Sequence, residues 1–153
     1  MKRVALLLLT FLAISCSEKS LYSETDKSFD ENRWQKSDIK VYEFEIAQAA
    51  TPYEMDVFMS YVYGAQFAKI PMIAEVTYPD GQMSSVTFDF VTKTDSGEEK
   101  GDCSGDFCDL DQKIDLPKPL VRGKYKVRLM HNFNNEYLPN VLALGLRVNQ
   151  LAD

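Results

Sequence analysis

The chain has 153 residues, 45% of them hydrophobic, and a formal net charge of −6. Its size suits one domain with a core of its own. The acidity argues against electrostatic attachment to nucleic acid or to anionic lipid surfaces, and no internal repeat or second long apolar span is present.

Lys2 and Arg3 precede an apolar run from Val4 to Ile14 that only Thr10 interrupts. The run falls short of the roughly 20 apolar residues a bilayer-spanning helix needs. With Ala13 and Ser15 just before Cys16, residues 1–15 are expected to be a removable export signal. Ala13-Ile14-Ser15-Cys16 resembles a bacterial lipobox, with Ala where Leu is usual, so Cys16 is the expected lipidation site. Acyl chains on that residue exceed the two-signal threshold for stable membrane attachment. The mature chain of about 138 residues has lost Lys2 and Arg3, which takes the net charge to −8.

Residues 16–32 are polar and charged with few large apolar groups. They are expected to form a flexible tether, because they bury too little surface to offset the entropy of ordering. The folded domain, residues 33–153, is expected to open at Trp34, the only tryptophan, which is large enough to seal one end of a core.

Beyond Trp34 the apolar period is two, the mark of half-buried strands. Tyr42, Phe44 and Ile46 alternate with Glu43 and Glu45; Tyr53, Met55, Val57, Met59, Tyr61 and Tyr63 alternate with Glu54, Asp56 and Ser60. Ile70, Met72, Ala74, Val76 and Tyr78 follow, then Val86, Phe88 and Phe90. Between these two runs lies Tyr78-Pro79-Asp80-Gly81, where proline presets one turn dihedral and glycine accepts positive φ, so a hairpin is expected. The last runs are Tyr125, Val127 and Leu129, and then Leu142, Leu144, Leu146 and Val148. Six or seven such strands, with no long segment of helical period, predict an all-β fold: an antiparallel β-sandwich of jelly-roll-like arrangement.

Once Cys16 is assigned to lipid, Cys103 and Cys108 remain, and an exported chain favours a disulfide between them. Their spacing fits neither a zinc site nor a Cys-x-x-Cys redox motif. They lie in Asp95–Asp111, a segment holding seven carboxylates, one lysine and three glycines. Its plain reading is a solvated acidic loop closed by the disulfide. The alternative is a calcium site using Asp102, Asp106, Asp109 and Asp111, although no glutamate follows at the spacing a calcium loop requires.

His131, the only histidine, shares parity with Val127 and Leu129 and is expected at a strand end on the core side, hydrogen-bonded there. Catalysis would need a nucleophile and an orienting acid beside it. Glu43 and Glu45 fall on a solvent face, where paired carboxylates are ordinary. Tyr53, Tyr61 and Tyr63 are read as core rather than as a sugar-stacking platform. No phosphate-binding loop, metal-ligand pair or nucleophile elbow occurs, so no catalytic residue and no cofactor is indicated.

The pattern resembles the GldH-type gliding-motility lipoproteins of Bacteroidetes-like bacteria. The resemblance runs through the lipobox, Phe29-Asp-Glu-Asn-Arg-Trp34 with Phe44 beyond it, the turn Pro79-Asp80-Gly81, and the glycine-rich stretch Gly101–Asp109. It continues through Gly123-Lys124-Tyr125 and Leu138-Pro139-Asn140-Val141 leading into Leu144-Gly145-Leu146-Arg147-Val148. Cys103, Cys108 and the acidic richness around them depart from that pattern. The resemblance implies a non-enzymatic envelope lipoprotein of the gliding apparatus and of the protein secretion linked to it, with other envelope proteins as partners. Ser17 lacks the aspartate that retains many lipoproteins in the inner membrane, so the outer membrane, facing the periplasm, is expected. A lipid-anchored module for glycan or calcium is the alternative.

Overall fold

The computed structural model describes residues 19–48 and 51–151, so the leader and Cys16 lie outside the described residues. In chain order the strands are β1 (Lys19–Asp26), β2 (Arg33–Gln35), β3 (Lys40–Ile46), β4 (Tyr53–Val62), β5 (Lys69–Thr77) and β6 (Met83–Val91). They continue as β7 (Asp102–Ser104), β8 (Phe107–Lys113), β9 (Gly123–His131), β10 (Tyr137–Pro139) and β11 (Val141–Gln150). A 3-10 turn at Asp30–Asn32 is the only helical element among the described residues, and none of their helices is long and apolar enough to cross a membrane.

All pairings are antiparallel. One sheet runs β1-β11-β4-β8-β7, the other β3-β9-β5-β6, and β10-β2 form a small ribbon. The long strands pair as nested couples: β5 with β6 innermost, then β4 with β8, β3 with β9, and β1 with β11 outermost. Successive couples fall in alternate sheets, which is a hairpin rolled up on itself, the jelly-roll topology. The innermost turn is the expected one: Gly81 N donates to Tyr78 O at 2.9 Å and Tyr78 N to Gln82 O at 2.8 Å, with Gly81 at φ 78°.

Alternation then decides the core. β3 buries Lys40, Tyr42, Phe44 and Ile46 and exposes the residues between them, and β9 buries Tyr125, Val127, Leu129 and His131. From the facing sheet, β4 sends in Met55, Val57, Met59 and Tyr61, and β11 sends in Leu144, Leu146 and Val148. The Tyr42 hydroxyl crosses the sandwich to donate to Leu144 O at 3.2 Å. At the open flank the amide of Gln112 stands in for a missing strand: Val91 N donates to its Oε1 at 2.7 Å, and its Nε2 donates to Asp89 O at 2.6 Å. At the other flank Lys40, buried over the Phe29 ring, is ion-paired with Asp26 and Asp38. Burial alone would lower its pKa, but the bonds it donates to Asp26 and Asp38 outweigh that and raise it.

Five expectations are corrected. Residues 19–26 are not tether but β1, an edge strand whose backbone is satisfied by β11 and whose exposed side can remain polar. The domain therefore opens at Lys19 rather than Trp34, although Trp34 is fully buried as expected. Much of the acidic segment is not a loop: β7 and β8 form a hairpin there. Tyr63 lies one residue past β4 and is 58% exposed, whereas Tyr61 is buried. Finally, a register shift between Val141 and Ala143 leaves Leu142 only partly buried and gives its core place to Val141.

Candidate functional site on the outer face of the five-stranded sheet

The outward residues of β1, β11, β4 and β8 make the most unusual surface of the molecule. A half-buried β4 would present solvated side chains here, yet Asp56, Phe58 and Ser60 are all buried. Phe58 is covered by Arg147 from the neighbouring strand, whose guanidinium lies 4.1 Å from the ring centroid and is bonded to Asp111 on the other side. Gly145 sets this close packing: a Cβ there would stand 2.6 Å from Glu24 O on β1.

Arg147 divides two shallow grooves. One, of about 520 Å³, is lined by Ser20, Ser23, Glu54, Asp56, Asp111 and Asn149 as well as Arg147. The other, of about 540 Å³, is more apolar, with Phe58, Phe107, Leu142 and Ala143 in its walls. Asp56 sits in the first, 9% exposed, accepting a hydrogen bond from Asn149 Nδ2 at 3.1 Å. Its pKa is pushed up to about 6, first by burial and then by the charges of Glu54 and Asp111, against which Asn149 and Lys113 act. Asp111 is raised too, by burial and by Asp109, with Arg147 opposing. This surface therefore sets paired donors and acceptors around a carboxylate that burial makes costly to ionise.

The sequence-derived site residues fall as follows. Cys103 and Cys108 face each other across the β7–β8 ladder and are joined, with Cys108 buried and Cys103 exposed. Asp102 and Asp109 are opposite one another, Asp106 lies in the turn between the strands, and Asp111 is engaged by Arg147. Among the described residues no group of three or more His, Cys, Asp or Glu side chains is placed to hold a metal ion. His131 ends β9, buried, with Nε2 at 3.0 Å from Trp34 O, Nδ1 accepting from Phe133 N, and its ring against the Trp34 indole at 4.8 Å. Burial lowers its pKa, the Lys36 charge lowers it further, and the bond to Trp34 opposes. Glu43 and Glu45 are exposed, as alternation requires, and Glu43 pairs with Lys126 across β3 and β9.

Asp56, Arg147 and Asn149 were not singled out from sequence. Asp56 and Asn149 are polar residues on alternating strands, indistinguishable in pattern from any solvated face. The only available signal was Arg147 set among leucines and valines in Leu144-Gly145-Leu146-Arg147-Val148.

The strand pairings define a small all-β domain of two antiparallel sheets. The chain belongs to the GldH lipoprotein family, whose family model matches residues 21–148, and so it is a membrane-anchored envelope protein. That match begins inside β1, in keeping with a domain that opens before Trp34. A comparison with curated proteins found no match. Among solved structures the chain is similar to a family 35 carbohydrate binding module from Clostridium thermocellum, with 16% identity over 74% of this chain and 95% of that one, at a TM-score of 0.36. It is also similar to a chain of the infectious bursal disease virus Gx strain structure, with 10% identity over 97% of this chain and 38% of that one, at a TM-score of 0.26. Neither likeness carries an argument for this chain; its fold rests on its own strand pairings.

Proposed function

We propose that the protein is a non-enzymatic, structural or assembly component of the gliding-motility apparatus and the secretion linked to it. It is held by lipid on Cys16 to the outer membrane, faces the periplasm, and docks on other envelope proteins. The observation that carries this reading is the family match across residues 21–148. The geometry supports it in two ways. The single imidazole is sealed between Trp34 and the Phe133 backbone rather than aimed at a nucleophile. Phe107, exposed, offers apolar surface in the wall of one groove, and Tyr63, also exposed, follows its ladder partner Val62.

Cross-linking in intact envelopes tests the reading. Phe107→Asp and Tyr63→Asp should unfold at the parent temperature yet lose both the cross-linked partner and motility. A folded His131→Gln protein that keeps full partner recovery but loses all activity would instead point to an enzyme. A second reading, recognition of a hydroxyl-rich glycan, is favoured by Asp56, Asn149 and Arg147 lining one groove. Under that reading Asp56→Ala abolishes glycan binding measured by calorimetry and leaves cross-linking intact.

A further inference from the structure

Because β1 starts at Lys19, only residues 17 and 18 separate it from Cys16. Three Cα steps span at most about 11 Å. A lipid on Cys16 thus leaves the domain almost no freedom to stand off from its membrane, in contrast to the long tether that the composition suggested. This argument rests on lipidation of Cys16.

The register says which end of the sandwich is held there. Lys19 is opposite Gln150, and Gln150 is opposite Tyr53. Ile114 N donates to Met55 O, which brings the β8–β9 connection to the same end. Lys118 of that connection reaches the β5–β6 turn, bonding to Gln82 and lying 5.2 Å from the Tyr78 ring centroid. The β8–β9 connection and the β5–β6 turn thus join into one continuous surface at this end, to which the β3–β4 connection also comes, Leu151 N donating to Pro52 O.

Its chemistry is that of a bilayer interface. Pro117, Lys118, Pro119, Val121 and Arg122 are exposed in succession around the buried Leu120, and Met83 protrudes beside them. Met83, at 66%, and Val121, at 50%, rank among the most exposed large hydrophobic side chains. Within residues 114–122 Lys118 and Arg122 stand against Asp115, while Asp80 is paired with Lys118 and Glu45 lies opposite Lys124. Apolar tips flanked by bases suit the boundary between headgroup phosphates and acyl chains. The other surfaces suit it less. The outer face of the five-stranded sheet carries Glu54, Asp56, Asp109 and Asp111, and the β1–β3 flank, although it exposes Leu21 and Val41, carries Glu24 and Glu43.

We infer that residues 114–122, together with Met83, rest on the phospholipid surface that holds the Cys16 lipid. The sandwich then stands on end and presents Tyr63, Phe107 and the β7–β8 turn at its far end to partners.

Hydrogen exchange read by mass spectrometry tests this on the lipidated protein in vesicles of phosphatidylethanolamine and phosphatidylglycerol, compared with the chain begun at Ser17 and left in solution. Exchange should slow several-fold in peptides covering 114–123 and 79–84 and stay unchanged in those covering 104–107 and 131–137. Acyl labelling and vesicle flotation report the anchor separately. A protein that is acylated and floats without this protection, or with protection confined to the β1–β3 flank, overturns the inference and leaves the anchor standing. A protein that is not acylated overturns both. Val121→Glu with Arg122→Glu should float and unfold as the parent does yet lose the protection, and protection that survives these changes also overturns the inference.

Discussion

Replacing Asp56 by Asn should stabilise the protein at neutral pH, and the gain should depend on pH. The folded state holds the Asp56 proton to about pH 6, whereas the ordinary value is 3.8. Between those values the folded chain binds more protons than the unfolded chain, so this residue's contribution falls as pH rises. Two units at 1.36 kcal/mol each set a ceiling of about 3 kcal/mol for the cost of the ionised carboxylate. Asn keeps an oxygen to accept from Asn149 and carries no charge toward Glu54 or Asp111. Urea unfolding followed by the fluorescence of the buried Trp34 should show a gain of roughly 1–3 kcal/mol at pH 7.5. The gain should shrink through pH 5 and be absent below pH 4, where Asp56 is protonated in both states. A variant equal to the parent at pH 7.5, or one stabilised equally at every pH, would refute the reasoning. A carboxylate that costs stability in the isolated domain is one that a partner's hydrogen-bond donor or cation can relieve.

Other changes probe the frame around that surface. Gly145→Ala forces a Cβ against Glu24 O and should cost about 1–3 kcal/mol, with faster proteolysis of β1 as its signature. Gln112→Ala removes both bonds that close the β6 edge and should cost roughly 1–3 kcal/mol in the same urea assay, whereas Gln112→Glu should restore only the bond accepted from Val91 N. Unreduced mature protein should weigh two hydrogens less than the dithiol form, since Cys103 and Cys108 are joined. Serine at both positions should cost roughly 2 kcal/mol for so short a ring and leave the sandwich folded, while quantitative alkylation of freshly isolated, unreduced protein would contradict the bond.

Local pattern determined a good deal. Period-two alternation placed every long strand after Trp34 except β8, whose Phe107, Asp109 and Asp111 face outward and hide among the acidic residues. The Pro79-Asp80-Gly81 turn was legible because proline and glycine act on their own dihedrals. His131 was legible because parity with Val127 and Leu129 settles which side it faces. The tertiary structure decided what depends on neighbours distant in sequence. β1 is a strand because β11 supplies its hydrogen bonds, not because Lys19–Asp26 carries an apolar face. Asp56 and Phe58 are buried on an outward face because Arg147 and Asn149, about ninety residues later, cover them from the adjoining strand. Alternation tells which side of a strand meets the core; which strands lie beside it, and so which polar residues meet, is set by long-range pairing that no local period encodes.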